Sequence, residues 1–152
     1  MEKERMSLTI LMADDDEDDR LMTKEALEEA KLANAIRFVE DGEALMDYLK
    51  RRGEYSDPEL SPRPGLILLD LNMPKKSGRE ALEEIKSDPE LRSIPIVVMT
   101  TSRAEEDVIR SYDLGVNSFV TKPVSFVGLV DVMKTLTKFW FEIVTLPPKD
   151  SA

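Results

Sequence analysis

Residues 66–70 read Leu-Ile-Leu-Leu-Asp, and the chain runs on through Leu71-Asn72-Met73-Pro74-Lys75-Lys76-Ser77-Gly78-Arg79-Glu80. Four apolar residues without alternation suit a parallel strand whose two faces are both covered by helices. The run stops on Asp70, and Ser77 with Glu80 three places later has the pattern of a capping box at a helix start. A strand that ends on a polar residue and hands over to a helix is therefore the unit to seek in the rest of the chain.

Four more apolar runs recur, at Leu8–Ala13, Ala35–Val39, Ile94–Met99 and Val116–Val120, with amphipathic stretches between them. Ser102 and Glu105 repeat the capping-box spacing, Gly115 follows one helical stretch and Pro89 closes another. Right-handed crossovers between such units predict an α/β fold with a five-stranded parallel sheet, helices on both faces and the flavodoxin-like order 2-1-3-4-5. The Pro-, Gly- and charge-rich stretch Arg51–Pro64 reads as one long surface loop.

With 152 residues and 41% hydrophobic content, the chain holds one core and has no room for a second domain of ordinary size. A formal charge of −10 argues against a nucleic-acid partner, whose phosphates it would repel. The sequence has neither cysteine nor histidine. Disulfides, thiolate chemistry, a Ser-His-Asp triad, an imidazole base and a phosphohistidine on this chain are all excluded. No apolar run is long enough to span a bilayer and Met1–Ser7 lacks a signal-peptide core, so a soluble cytoplasmic protein without a membrane partner is expected.

The polar residues that end the runs are informative by position. Asp14 and Asp15 end the first, Asp70 the third and Thr100 the fourth, while Lys122 follows the fifth. In an open parallel sheet these carboxyl ends share one edge, the edge where ligands bind. Three carboxylates in one crevice repel one another unless a cation holds them, and hard oxygen ligands point to Mg²⁺. Lys122 and Thr100 supply an ammonium and a hydroxyl for a phosphoryl group, which needs positioning and charge neutralisation.

Blander readings compete. Asp16, Glu17, Asp18 and Asp19 read as the acidic first turn of a helix, favoured by its dipole. Asp14, Asp16, Asp18, Leu21 and Glu25 also fall on calcium-loop spacing, although Asp19 stands where such a loop needs glycine and a strand precedes it. A calcium-binding or non-phosphorylated adaptor domain is the alternative reading, and a hydrolase with an aspartyl nucleophile another. The commonest such hydrolase would want a second acid where this chain has Asn72.

The segments ILMADDDEDDRLM, LILLDLNMPKKSGREAL, PIVVMTTS and NSFVTKP closely resemble the response-regulator receiver family over about Leu8 to Leu136. The resemblance implies Asp70 as phosphoacceptor, Asp14 and Asp15 as the acidic pair for Mg²⁺, and Asn72 as a metal ligand through its backbone carbonyl. It further implies Thr100 as the switch hydroxyl with Thr101 as the small residue after it, Lys122 as the phosphoryl contact, Phe119 as the aromatic switch and Lys122-Pro123 as a cis peptide. On this reading residues 1–6 are an N-terminal tail, 7–138 the receiver domain and 139–152 a helix end with an apolar tail. The segments RRGEYSDPELSPRPGLILLDLNMPKKSGRE and KFWFEIVTLP are similar, more narrowly, to single-domain response regulators of phytochrome-type histidine kinases. With no histidine of its own, the chain must take its phosphoryl group from a histidine kinase or phosphotransfer protein. Output, with no output domain expected, would come from a two-state change in which Thr100 and Phe119 rearrange and association alters.

Phe139, Trp140 and Phe141 close the last apolar stretch. At about 100° per residue, three consecutive side chains spread over about 200° of helix surface, more than one core-facing stripe covers. With Ile143, Val144 and Leu146 they predict an apolar surface buried in a homodimer.

Overall fold

The computed structural model describes residues 9–29, 35–71, 73–100, 118–121 and 125–145, with the backbone alone at Thr100, 118–121 and 136–145. Five strands form one parallel sheet: β1 (Ile10–Ala13), β2 (Ile36–Val39), β3 (Leu66–Asp70), β4 (Ile96–Thr100) and β5 (Ser118–Thr121), in the order β2-β1-β3-β4-β5. The helices are α1 (Glu17–Glu29), α2 (Gly42–Lys50), α3 (Gly78–Ser87) and α4 (Phe126–Thr145).

The unbroken apolar runs are explained by what lies on each face. Because side chains alternate along a strand, Leu11, Ala13, Ile67, Leu69, Ile96 and Val98 pack with Leu45, Leu49, Leu82 and Ile85 of α2 and α3. Ile10, Met12, Leu66, Leu68, Val97 and Met99 pack on the other face with Ala26 and Leu27 of α1 and Leu129, Val130 and Met133 of α4. Both faces of the central strands β1, β3 and β4 are thus apolar core, and their polar residues fall at the strand ends.

Boundaries shift for local reasons. β4 begins at Ile96, two residues later than the apolar run, because the Ile94 amide closes a turn onto the Leu91 carbonyl and Pro95 has no amide to donate. Asp16 lies before α1, where its Oδ1 accepts from the Asp18 and Asp19 amides at 2.8 and 3.2 Å. It is the cap of that helix, and only Glu17, Asp18 and Asp19 occupy the acidic first turn. α3 starts with the expected capping box, Ser77 and Glu80 each bonding the other's backbone amide.

Arg51–Pro64 is largely exposed, as a surface loop should be, and it is also pinned at several points. Arg51 takes a left-handed conformation with φ 54°, ending α2, and a 3₁₀ turn follows at Gly53–Tyr55. The Tyr48 hydroxyl then donates to the Pro62 carbonyl at 2.7 Å, and Arg63 to the Leu49 carbonyl at 2.9 Å. Ser61 is buried, its hydroxyl bonded to the Tyr55 and Asp57 carbonyls, and the Tyr48 and Tyr55 rings lie 5.3 Å apart. The segment is a packed cap over the end of α2.

Candidate functional site

Parallel registers bring the polar strand ends together. Ala13 pairs with Leu69, so Asp14 and Asp70 are the next residues along on adjacent strands. Asp70 pairs with Met99, which sets Thr100 one step beyond it at the end of β4, and Thr100 pairs with Thr121 of β5. Asp14, Asp15 and Asp70 each place a carboxylate oxygen within 4.8 Å of the others. Asp14 is fully buried, Asp70 is 8% exposed and Asp15 faces solvent.

Such a cluster needs positive charge. Unit charges about 5 Å apart repel by roughly 3 kcal/mol per pair at an effective dielectric of about 20, and by less where water screens them. Arg20 brings one positive charge close, its Nη1 donating at 2.8 Å to the Asp14 backbone carbonyl. Three hard oxygens, one open to solvent, fit a divalent cation of the Mg²⁺ or Mn²⁺ kind. Of the calcium-loop residues, Asp16 spends its Oδ1 on the cap of α1, and the segment before Asp14 is β1 where that motif needs a helix.

Asp14 and Asp70 sit on rigid supports. The Asp14 amide donates to the Val39 carbonyl at 3.1 Å, and Asp14 Oδ1 accepts from the Asp16 amide at 2.9 Å. Beyond Asp70, Gly78 comes so close that a Cβ would lie 2.2 Å from the Asp70 carbonyl oxygen, while its amide donates to the Leu71 carbonyl at 3.1 Å. Only glycine fits there.

Of the residues singled out from the sequence, Asp14, Asp15 and Asp70 meet in space. Thr100 and Phe119 are placed in β4 and β5 by backbone, and Phe139, Trp140, Phe141, Ile143 and Val144 in α4. Asn72, Thr101, Lys122, Pro123 and Leu146, with the capping pair Ser102 and Glu105, lie outside the described residues.

Sequence reading passed over the turn after β2. Asp41 is buried, caps α2 by accepting from the Ala44 amide at 2.7 Å, and faces Lys75 Nζ at 3.7 Å. The Gly42 amide donates to the Lys76 carbonyl at 2.9 Å. Its one signal was an Asp-Gly pair one residue after an apolar run. Among the described residues no helix is long and apolar enough to cross a membrane.

Residues 10–134 match the family described as the response regulator receiver domain. The chain is 46% identical over 138 residues to the response regulator Rcp1 of Synechocystis sp., covering 91% of this chain and 92% of that protein. Among solved structures, the phosphorylated cyanobacterial phytochrome response regulator RcpA aligns with a TM-score of 0.80 at 44% identity, over 92% of this chain and 98% of that one. The Mn²⁺-bound form of Rcp1 aligns with a TM-score of 0.78 at 46% identity, over 92% and 99%.

Proposed function

Since the chain belongs to the response regulator receiver family, we propose that it is a phosphorelay protein that accepts a phosphoryl group on Asp70 from a phosphohistidine of a partner kinase. The observation that carries the reading is the convergence of Asp14, Asp15 and Asp70 within 4.8 Å at the carboxyl edge of the sheet. Asp14, Asp15 and Asp70, with the Asn72 backbone carbonyl, hold Mg²⁺. When bound, the ion neutralises charge on the transferring phosphoryl oxygens.

The chain's own residues do the rest. An Asp70 carboxylate oxygen attacks phosphorus in line, the bond from phosphorus to the donor imidazole breaks, and the imidazole nitrogen leaves with the electron pair and takes a proton. The Lys122 ammonium and Thr100 hydroxyl bind phosphoryl oxygens, and Thr100 with Phe119 carries the change to the surface. Later hydrolysis of the acyl phosphate resets Asp70.

The kinase proposed is of the phytochrome type. RcpA is a phytochrome response regulator, and both it and Rcp1 match this chain over about nine-tenths of its length. The reading also places the protein in the cytoplasm as a homodimer joined through the end of α4, where Phe139–Phe141 crowd three large aromatics onto consecutive positions. The test is transfer of labelled phosphate from a phosphorylated phytochrome-type kinase to this chain. Label on the wild type and none on Asp70→Asn is expected, and equal labelling of both would overturn the reading.

A further inference from the structure

We propose that the turn joining β2 to α2, Glu40-Asp41-Gly42, is the positioning element of the acidic pocket. It lends no ligand, yet it holds the two loops that do. The proposal rests on the reading of Asp70 as a metal-assisted phosphoacceptor.

Successive residues of this turn reach different walls of the pocket. The Val39 carbonyl, just before it, accepts the Asp14 amide at 3.1 Å. Glu40 Oε1 lies 3.7 Å from Arg20 Nη2, while Arg20 Nη1 donates to the Asp14 carbonyl at 2.8 Å, so this arginine ties the turn to the loop after β1. Asp41 Oδ2 and Gly42 both face the loop after β3, through Lys75 Nζ and the Lys76 carbonyl. That loop begins at Asp70.

Magnitudes decide which contact matters most. Glu40 and Lys75 are exposed, and exposed ion pairs contribute about 0–1 kcal/mol. Gly42 is different in kind. A Cβ there would lie 2.0 Å from the Lys76 carbonyl oxygen and 2.7 Å from its carbon, so any side chain must push this backbone away. Lys75, next to it, has φ 64°, a left-handed conformation that a lysine keeps only where its surroundings hold it. Lys76 is tied in turn to Glu84 of α3 by an ion pair. The loop carrying Asp70 and Asn72 is therefore gripped at Lys75 and Lys76 by the turn, and at Gly78 by its own helix.

A positional role and a purely electrostatic one predict opposite signs at Lys75. Removing a cation from the loop that follows Asp70 should by its field alone tighten metal binding. Loosening the loop should weaken it.

The experiment measures the Mn²⁺ and Mg²⁺ dissociation constants by calorimetry, with thermal unfolding in chelator, for the full chain and the variants Gly42→Ala and Lys75→Met. Expected are a dissociation constant raised about tenfold in Gly42→Ala and two- to threefold in Lys75→Met, with slower phosphorylation from acetyl phosphate in both. If Gly42→Ala lowers the melting temperature but binds metal as the wild type does, the turn is only structural and the proposal fails. Unchanged or tighter binding by Lys75→Met overturns it equally, and decides alone should Gly42→Ala not fold. A wild type that binds no divalent metal defeats the phosphoacceptor reading itself, a result separate from either variant matching a wild type that does bind.

Discussion

Asp14 and Asp70 stand side by side at the ends of neighbouring parallel strands, with carboxylate oxygens within 4.8 Å of each other and of Asp15. The first is fully buried and the second nearly so. Packing of the apolar strands on both faces holds them at this separation, where like charges repel and a bound divalent cation would offset the repulsion.

Metal should therefore stabilise the protein by mass action. At about 100 times the dissociation constant, binding contributes about 2.7 kcal/mol, and about 2–4 °C of melting temperature goes with each kcal/mol at this size. Calorimetric or fluorescence melts should show a rise of about 5–10 °C with Mg²⁺ over chelator. Asp14→Asn keeps an oxygen for the Asp16 amide but removes one charge. It should melt higher than the wild type in chelator and lose most of the Mg²⁺ increment.

Much of this was legible beforehand, for identifiable reasons. Apolar runs without alternation marked strands covered on both faces, and residues that stop such runs, Asp14 and Asp70, must fall at the sheet edge where they are found. The brace from Gly42 to Lys76 was not legible, because a glycine does not say which distant backbone it approaches. Nor was the cap over α2. Proline, glycine and charge in Arg51–Pro64 mark an irregular path, but the bonds from Tyr48 to Pro62 and from Arg63 to Leu49 that pin it leave no periodic trace. Tertiary contacts between irregular segments have no period to read.

The cap over α2 makes a stability prediction. Tyr48→Phe leaves the Pro62 carbonyl without the hydroxyl that donates to it at 2.7 Å. A lost hydrogen bond of this kind costs about 1 kcal/mol, or about 2–4 °C in melting temperature. Chemical denaturation should show a lower midpoint with an unchanged slope.

Tyr55 gives a pH signature. Burial, with the Glu54 carboxylate close to its hydroxyl, pushes this phenol up from 10.0 to about 12. A raised folded value means the folded state holds the proton more tightly, so the stability it lends is complete below the ordinary tyrosine range and is lost as pH rises through about 12. Burial also raises Tyr48, so phenolate absorbance should show a tyrosine titrating near 12 that disappears in Tyr55→Phe while the raised Tyr48 remains. That variant should also lose less stability between neutral and strongly alkaline pH.

The aromatic end of α4 predicts association. Sedimentation at micromolar concentration should show a dimer, and Trp140→Ala with Phe141→Ala should shift it toward monomer while leaving metal binding intact. A monomeric wild type, with and without phosphodonor, would remove the dimer from the account.

The central claim is that Asp70 takes the phosphoryl group with help from a divalent metal. Intact mass spectrometry after incubation with acetyl phosphate tests it most directly, on the wild type and Asp70→Asn, each with Mg²⁺ and with chelator. The account predicts a phosphate-sized mass increase in the wild type with Mg²⁺ alone, and none in the other three samples. An equal increase in Asp70→Asn, or one in the wild type indifferent to chelator, would contradict it.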